Sequence, residues 1–222
     1  PIPKRLIPTQ VFRNNFDSQL EQYIMNKSNS NFSIGIHDAG GGGDCLFHSI
    51  SAGIKQAFSL GLEKKFYSML ELRRLVGDYV LSLKRDKFIE LINNYKVMEE
   101  YSDWYDNWSP SSIKTPQQLA NELSKTGNNH WGTEFDLKAL SERLKIGFII
   151  FSSLNGQIYC FGQELSFRKP NYYMFIYNIS NTHYTLSGLK SKNQSSYISV
   201  YRPLEIPKFL RNEYQRLCHC SL

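Results

Sequence analysis

The sequence predicts an α+β fold, an α/β sandwich in which a small sheet lies between helical regions. Three observations predict it. Apolar residues recur at helical spacing through most of the first 145 positions, and short apolar runs rich in β-branched and aromatic residues follow. The 222 residues are 41% hydrophobic and 14% aromatic, enough for one well-packed core and unlike a disordered chain. Helices first and strands later, in mixed order, is the pattern of segregated helices on a small sheet.

The elements follow in order. Phe16, Leu20, Tyr23 and Ile24 share one helix face. Leu46, Ile50, Ile54, Ala57 and Phe58 do the same for a helix starting near Cys45. Ser68 and Glu71 have capping-box spacing ahead of Leu72, Leu75, Val76, Tyr79 and Val80. Thr115-Pro116 with Gln118 supplies a cap, a proline at the first helical position and a glutamine at the third. Thr133 precedes a helix carrying Leu137, Leu140 and Leu144. The run 146–151, IGFIIF, reads as a buried strand, Asn155-Gly156 as a hairpin turn and 157–161 as its return. The runs 172–177, YYMFIY, and 183–189, HYTLSGL, read as two further strands.

Residues 1–34 read as an N-terminal extension with one helix, 35–189 as the compact domain, and 190–222 as a C-terminal extension, basic at first and then irregular around Pro203 and Pro207. The first residue is Pro1, not Met, as expected of a processed piece or a domain cut from a longer protein. The net charge of +6 is scattered, so no nucleic-acid footprint is indicated. Neither a signal-peptide core nor a run of 18 apolar residues occurs, so the chain reads as soluble and off the membrane. Four cysteines in this length are too sparse for a disulfide framework and fit a reducing compartment. Cys218-His219-Cys220 places three donors too close together to share one zinc, so no metal site is expected.

The stretch AGGGGDCLFHSI, 39–50, asks for an explanation, because each glycine costs about 0.5–1 kcal/mol relative to alanine in an ordered element. A free thiol with a pKa near 8.5 is only about 3% thiolate at neutral pH. A helix N-terminus contributes about 0.3–1 kcal/mol toward lowering it, where each pKa unit needs about 1.36 kcal/mol. A nucleophilic Cys45 therefore requires an imidazolium nearby to bring its pKa down. In that reading the glycines bring backbone N–H groups of Gly42, Gly43, Asp44 and Cys45 up to an oxyanion. A structural turn and an anion-binding loop are the other two readings. The latter lacks the lysine and hydroxyl of a phosphate loop and has Asp44-Cys45 in their place. Of the five histidines, His183 is favoured as the base because it opens a strand, ahead of His37, His48, His130 and His219.

The segment 42–50, GGDCLFHSI, resembles the D-G-N-C-L-F-x-x-[IV] block of the ovarian tumour (OTU) family of cysteine proteases. The segment 131–141, WGTEFDLKALS, is similar to that family's W-G-x-x-x-x-L-x-A-L-S block, and His183-Tyr184 to its closing H-[YW]. The blocks stand in family order over roughly 35–189, and the GGGDC variant is similar to sequences of large DNA viruses and intracellular bacteria. The resemblance implies a papain-like OTU fold and cleavage of ubiquitin, and in some members of ubiquitin-like modifiers, from conjugates. It implies Cys45 as nucleophile, His183 as general base and then acid, and no cofactor. It also implies ubiquitin or polyubiquitin as partner, a monomer, and a cytoplasmic location, the host cytosol if the source is a virus or a bacterial pathogen.

Departures leave the third catalytic member open. The family's usual Asp three residues before the cysteine is Gly42 here, its Asn before the cysteine is Asp44, and its Asp or Asn two residues after the histidine is Thr185. Asn181 and Thr185 rank equally as the residue orienting His183, with Asp38 third. Asp44 is expected to shape the loop, since its charge beside an oxyanion would oppose catalysis. Trp131 is a candidate wall of the channel for ubiquitin's tail, with a core tryptophan as the alternative. The segment 99–108, EEYSDWYDNW, with Trp104 and Trp108, is a candidate docking arm for ubiquitin, with a loop packed on the core as the alternative. An inactive ubiquitin-binding module and a polyprotein-processing cysteine protease are the competing functions.

Overall fold

The computed structural model describes residues 11–13, 18–99, 108–154, 157–159 and 170–218. Helices α1 (Ser18–Lys27), α2 (Cys45–Ser59), α3 (Met69–Leu81), α4 (Arg85–Glu99), α5 (Pro116–Leu123), α6 (Glu134–Leu144) and α7 (Lys208–Cys218) surround one sheet. Its strands are β1 (Phe32–His37), β2 (Ile146–Ser152), β3 (Gln157–Tyr159), β4 (Tyr172–Ile179), β5 (His183–Ser191) and β6 (Val200–Tyr201). The order is β1-β5-β4-β2-β3. β2 and β4 run parallel with α6 leading into β2, while β1–β5, β5–β4 and β2–β3 are antiparallel. β6 pairs with Tyr173 and Met174 at the start of β4, and β5 pairs with Ile176–Ile179 at its end.

Side-chain alternation splits the sheet into two cores. Met174 and Ile176 of β4, with Ile146, Phe148 and Ile150 of β2, face α2, α3, α5 and α6. Phe175 and Tyr177, with Ile149 and Phe151, face α1 and α7 through Leu20, Ile24, Leu210 and Tyr214. Burial on both sides explains why the strands read as continuous apolar runs. The flanking stretches 1–34 and 190–222 therefore supply α1, the start of β1, β6 and α7 to the same packed body.

Local signals act as their chemistry dictates. Ser68 and Glu71 form a reciprocal capping box at α3, Thr115 and Gln118 another at α5, and Thr133 and Asp136 a third at α6. The segment before His37, for which the sequence predicts no element, is an extended strand, because Ile34 and Ile36 alternate in register with Leu189 and Ser187. Two expectations need correction. Residues 208–218, expected to be irregular, form α7, since Pro207 ends the turn that precedes the helix and does not interrupt it. Phe58 belongs to α2's helical face by spacing but is 46% exposed, whereas Ile54 and Ala57 of the same helix are fully buried. The turn Asn155-Gly156 lies outside the described residues, although the hairpin it joins is present as β2–β3.

Candidate active site

Three elements converge on Cys45. It is the first residue of α2, whose first turns lie against β5. One turn on, the fully buried Ser49 hydroxyl donates to the Tyr184 carbonyl at 3.1 Å, while the Tyr184 backbone also hydrogen-bonds the Cys45 thiol. Both backbone groups of the residue after His183 thus seat the start of α2. Asp38 follows the end of β1, the neighbour of β5.

His183, the first residue of β5, turns Nε2 to Asp38 Oδ1 at 3.4 Å. Asp38 Oδ1 also accepts the Gly40 N–H at 3.2 Å, so the carboxylate is held by the segment it belongs to. The other candidates make different contacts. Thr185 is buried, and among the described residues its Oγ1 has no hydrogen-bond partner. Asn181, with φ +58, forms with Ser180 the left-handed pair of the β4–β5 turn closed by Thr182 N–H to Ile179 O, and its side chain lines the groove beside Cys45. Of the three, Asp38 is the residue in contact with the His183 ring.

The thiol differs from expectation. Its pKa lies above that of an ordinary cysteine: burial pushes it up, hydrogen bonds from the backbone N–H groups of Tyr184, Leu46 and Cys45 itself pull down without prevailing, and the Asp38 charge adds a further upward push. Cys45 is only 4% exposed, so an isolated thiolate there is poorly solvated. Burial therefore favours the neutral thiol over the thiolate at Cys45.

The glycine loop has a specific build. Gly42 and Gly43 carry φ +68 and +84. A Cβ on Gly43 would lie 2.2 Å from the Gly127 carbonyl oxygen, so this position needs glycine both for its dihedral and for close approach. Asp44 makes no side-chain cap to α2, because its carboxylate is engaged elsewhere. Oδ2 accepts the Gly127 N–H at 2.8 Å, and Oδ1 accepts Arg73 Nε at 2.6 Å. Arg73 is fully buried in α3 and its guanidinium stacks 4.2 Å from the Phe47 ring centroid. The charge of Asp44 is thereby balanced.

Sequence reasoning missed Arg73. A signal existed: Arg73 precedes Val76 and Val80 by three and seven positions, on the buried stripe of α3, and a glycine-loop aspartate needs a counter-charge. Ser49 was missed because a serine on a buried helix face has no distinctive spacing.

A groove of about 970 Å³ opens from Cys45, with Trp131, Tyr95 and Met98 among its walls. Gly132 lets the Trp131 segment lie on α2, since a Cβ there would meet Leu46 at 2.6 Å. Beneath, buried His130 bonds Asp136 at 2.9 Å. Burial alone would raise the Asp136 carboxyl, but the coulombic pull and hydrogen bond of His130, with the N–H and hydroxyl of Thr133, hold it below the ordinary carboxylate range. Trp108 packs on the core: its indole N–H donates to Asn129 O at 2.6 Å and its ring meets Tyr95 edge-on. This packing is what the alternative reading, a loop on the core, expects of Trp108. Trp104 lies outside the described residues, as does His219.

The family model of OTU-like cysteine proteases matches residues 40–184, and the chain belongs to that family. No curated protein matches the sequence. Among solved structures, an ovarian tumour domain in complex with ubiquitin is similar at 18% identity and a TM-score of 0.53, covering 86% of this chain and 84% of its own. An OTU deubiquitinase from Wolbachia pipientis wMel matches at 17% identity and 0.47, over 75% of this chain and 92% of its own. The viral OTU domain protease of Qalyub virus matches at 13% and 0.38, over 80% and 97%. At these identities the likeness is one of fold. Among the described residues, no helix is long and apolar enough to cross a membrane.

Proposed function

We propose that the protein is a deubiquitinating cysteine protease that hydrolyses the isopeptide bond after ubiquitin's C-terminal glycine. The observation that carries this reading is Cys45 at the start of α2 and in the wall of a groove, hydrogen-bonded by the backbone of Tyr184 next to a His183–Asp38 contact, in a chain of the OTU-like cysteine protease family. The solved ovarian tumour domain in complex with ubiquitin supports ubiquitin as the partner.

The Cys45 S–H proton passes to His183 as the sulfur attacks the carbonyl carbon. Asp38 stabilises the imidazolium that forms. The carbonyl oxygen becomes an oxyanion facing the backbone N–H groups of the 42–45 loop. His183 then returns its proton to the departing lysine amine, the C–N bond breaks and a thioester remains. Water, deprotonated by His183, attacks the thioester, and the thiol leaves with the proton.

Labelling by ubiquitin carrying a C-terminal thiol-reactive warhead tests the reading. Wild type should be labelled, Cys45→Ala should not, and His183→Ala should react far more slowly. A folded wild type that binds ubiquitin without labelling would establish the inactive-module alternative. One that neither labels nor binds would direct the search to a polyprotein substrate.

A further inference from the structure

We propose that Arg73 is the positioning residue of this active site: it holds the nucleophile loop and the Trp131 segment in one geometry, so that its loss lowers turnover even where the fold survives. The inference rests on the protease reading above for its kinetic test and on the structure alone for its loop test.

The guanidinium spends its donors on three separate segments. Nε and Nη2 meet Asp44 Oδ1 at 2.6 and 2.5 Å. Nη2 also donates to the carbonyls of Gly43, at 3.1 Å, and His130, at 2.8 Å, and Nη1 to that of Leu123, at 3.3 Å. Gly43 and Asp44 carry the loop that ends in Cys45. His130 immediately precedes Trp131, a wall of the groove. Leu123 ends α5. Asp44 closes the circuit by accepting the Gly127 N–H from the segment that leads to His130.

The geometry points to a role beyond filling space. A carbonyl held at Gly43 fixes the plane of the Gly43–Asp44 peptide, whose N–H belongs to the loop that faces the oxyanion. A planar, five-donor fork can serve a carboxylate and several carbonyls at once, whereas an ammonium has neither the reach nor the angles. Arg73→Lys keeps the charge and loses this geometry.

Removing Arg73 alone leaves a buried carboxylate unpaired, so Arg73→Met can fail to fold for that reason. The decisive variant is therefore Arg73→Met with Asp44→Asn, which removes both charges. We expect the pair to regain most of the melting temperature lost by Arg73→Met while kcat on a ubiquitin C-terminal fluorogenic amide stays about 10–100-fold below wild type, short of the roughly 100–1,000-fold lost when an oxyanion donor is removed outright, with KM little changed. Alkylation of Cys45 by iodoacetamide, which needs no oxyanion support, should proceed at the wild-type rate. Hydrogen exchange of the 42–45 amides should rise in the double variant. Recovery of kcat in step with melting temperature would overturn the proposal, as would unchanged exchange in the loop. If wild type does not turn over ubiquitin at all, the protease reading fails, and the exchange measurement still decides whether Arg73 holds the loop.

Discussion

Replacing Asp38 by Asn separates it from the two other candidates for orienting His183. The carboxylate oxygen sits 3.4 Å from His183 Nε2. Two unit charges at that distance interact by about 1 kcal/mol in bulk water and by about 5 kcal/mol at an effective dielectric constant of about 20. The Asp38 side chain is 65% exposed and that of His183 30%, so the screened end of the range applies. A loss of about 1–2 kcal/mol in stabilising the imidazolium corresponds to a fall of about 5–30-fold in kcat/KM. The assay is hydrolysis of a ubiquitin C-terminal fluorogenic amide at saturating and limiting substrate, run beside Thr185→Val and Asn181→Ala. The Debye length shrinks from about 10 Å at 0.1 M salt to about 3 Å at 1 M, so the gap between wild type and Asp38→Asn should narrow at high salt, whereas a lost packing contact would not respond. Activity of Asp38→Asn within twofold of wild type, with a larger fall in Thr185→Val, would refute the assignment.

Three further outcomes follow from the same geometry. Alkylation of free Cys45 by iodoacetamide should rise with pH along a curve centred above the ordinary thiol value of about 8.5, because burial disfavours the thiolate; a midpoint below it contradicts that preference for the neutral thiol. Gly43→Ala should destabilise the fold more than Gly42→Ala in denaturant titration. Both must bear a left-handed backbone strain of about 1–2 kcal/mol, but only Gly43 also meets a carbonyl oxygen, at 2.2 Å, and equal effects would discount that contact. Glu71 is held at about 2 by the Ser68 N–H first, then by Lys65 and the Ser68 hydroxyl. A depressed carboxylate gives stability that is complete above its unfolded pKa of about 4.3 and drains away as pH falls toward about 2. Melting temperature should therefore fall less steeply with acid in Glu71→Gln than in wild type, and parallel acid limbs would exclude the effect.

What could be read from the sequence was what local chemistry encodes. Ser68, Thr115 and Thr133 announced three helices because a cap needs a partner three residues away and nothing else. The strands β2 and β4 were legible because each is apolar on both faces of a doubly covered sheet, and β5 because Tyr184 and Leu186 alternate with polar residues. β1 was not legible: FSIGIH is short and contains a glycine, and it is a strand because β5 offers a partner from Leu186 to Ser191. Cys45 and His183 stood out by motif, but the contact of His183 with Asp38 joins positions 145 residues apart and depends on β1 lying beside β5. Arg73 escaped for a related reason. Its partners lie in three segments distant in sequence, so its place on the buried stripe of α3 was visible but what it binds there was not.

The two aspartates near the nucleophile explain how the site accommodates its departures from the family pattern. A carboxylate directly before Cys45 would oppose both the thiolate and the oxyanion. Asp44 does neither in this arrangement, since Arg73 supplies a full opposing charge at 2.5 Å in a site closed to water, where screening is weakest. Among the described residues Asp38 has no such cation beside its contact with His183. In the proposed mechanism its charge would act on both partners of the proton transfer, against the thiolate and in favour of the imidazolium. It contacts the imidazole ring at 3.4 Å, whereas among the influences on Cys45 it ranks behind burial and three backbone hydrogen bonds. The family's usual acid position, now Gly42, is then free to take the left-handed turn that brings the loop into place. On the proposed mechanism one aspartate belongs to the scaffold and the other to the chemistry, and the arginine beneath the loop would keep those two roles apart.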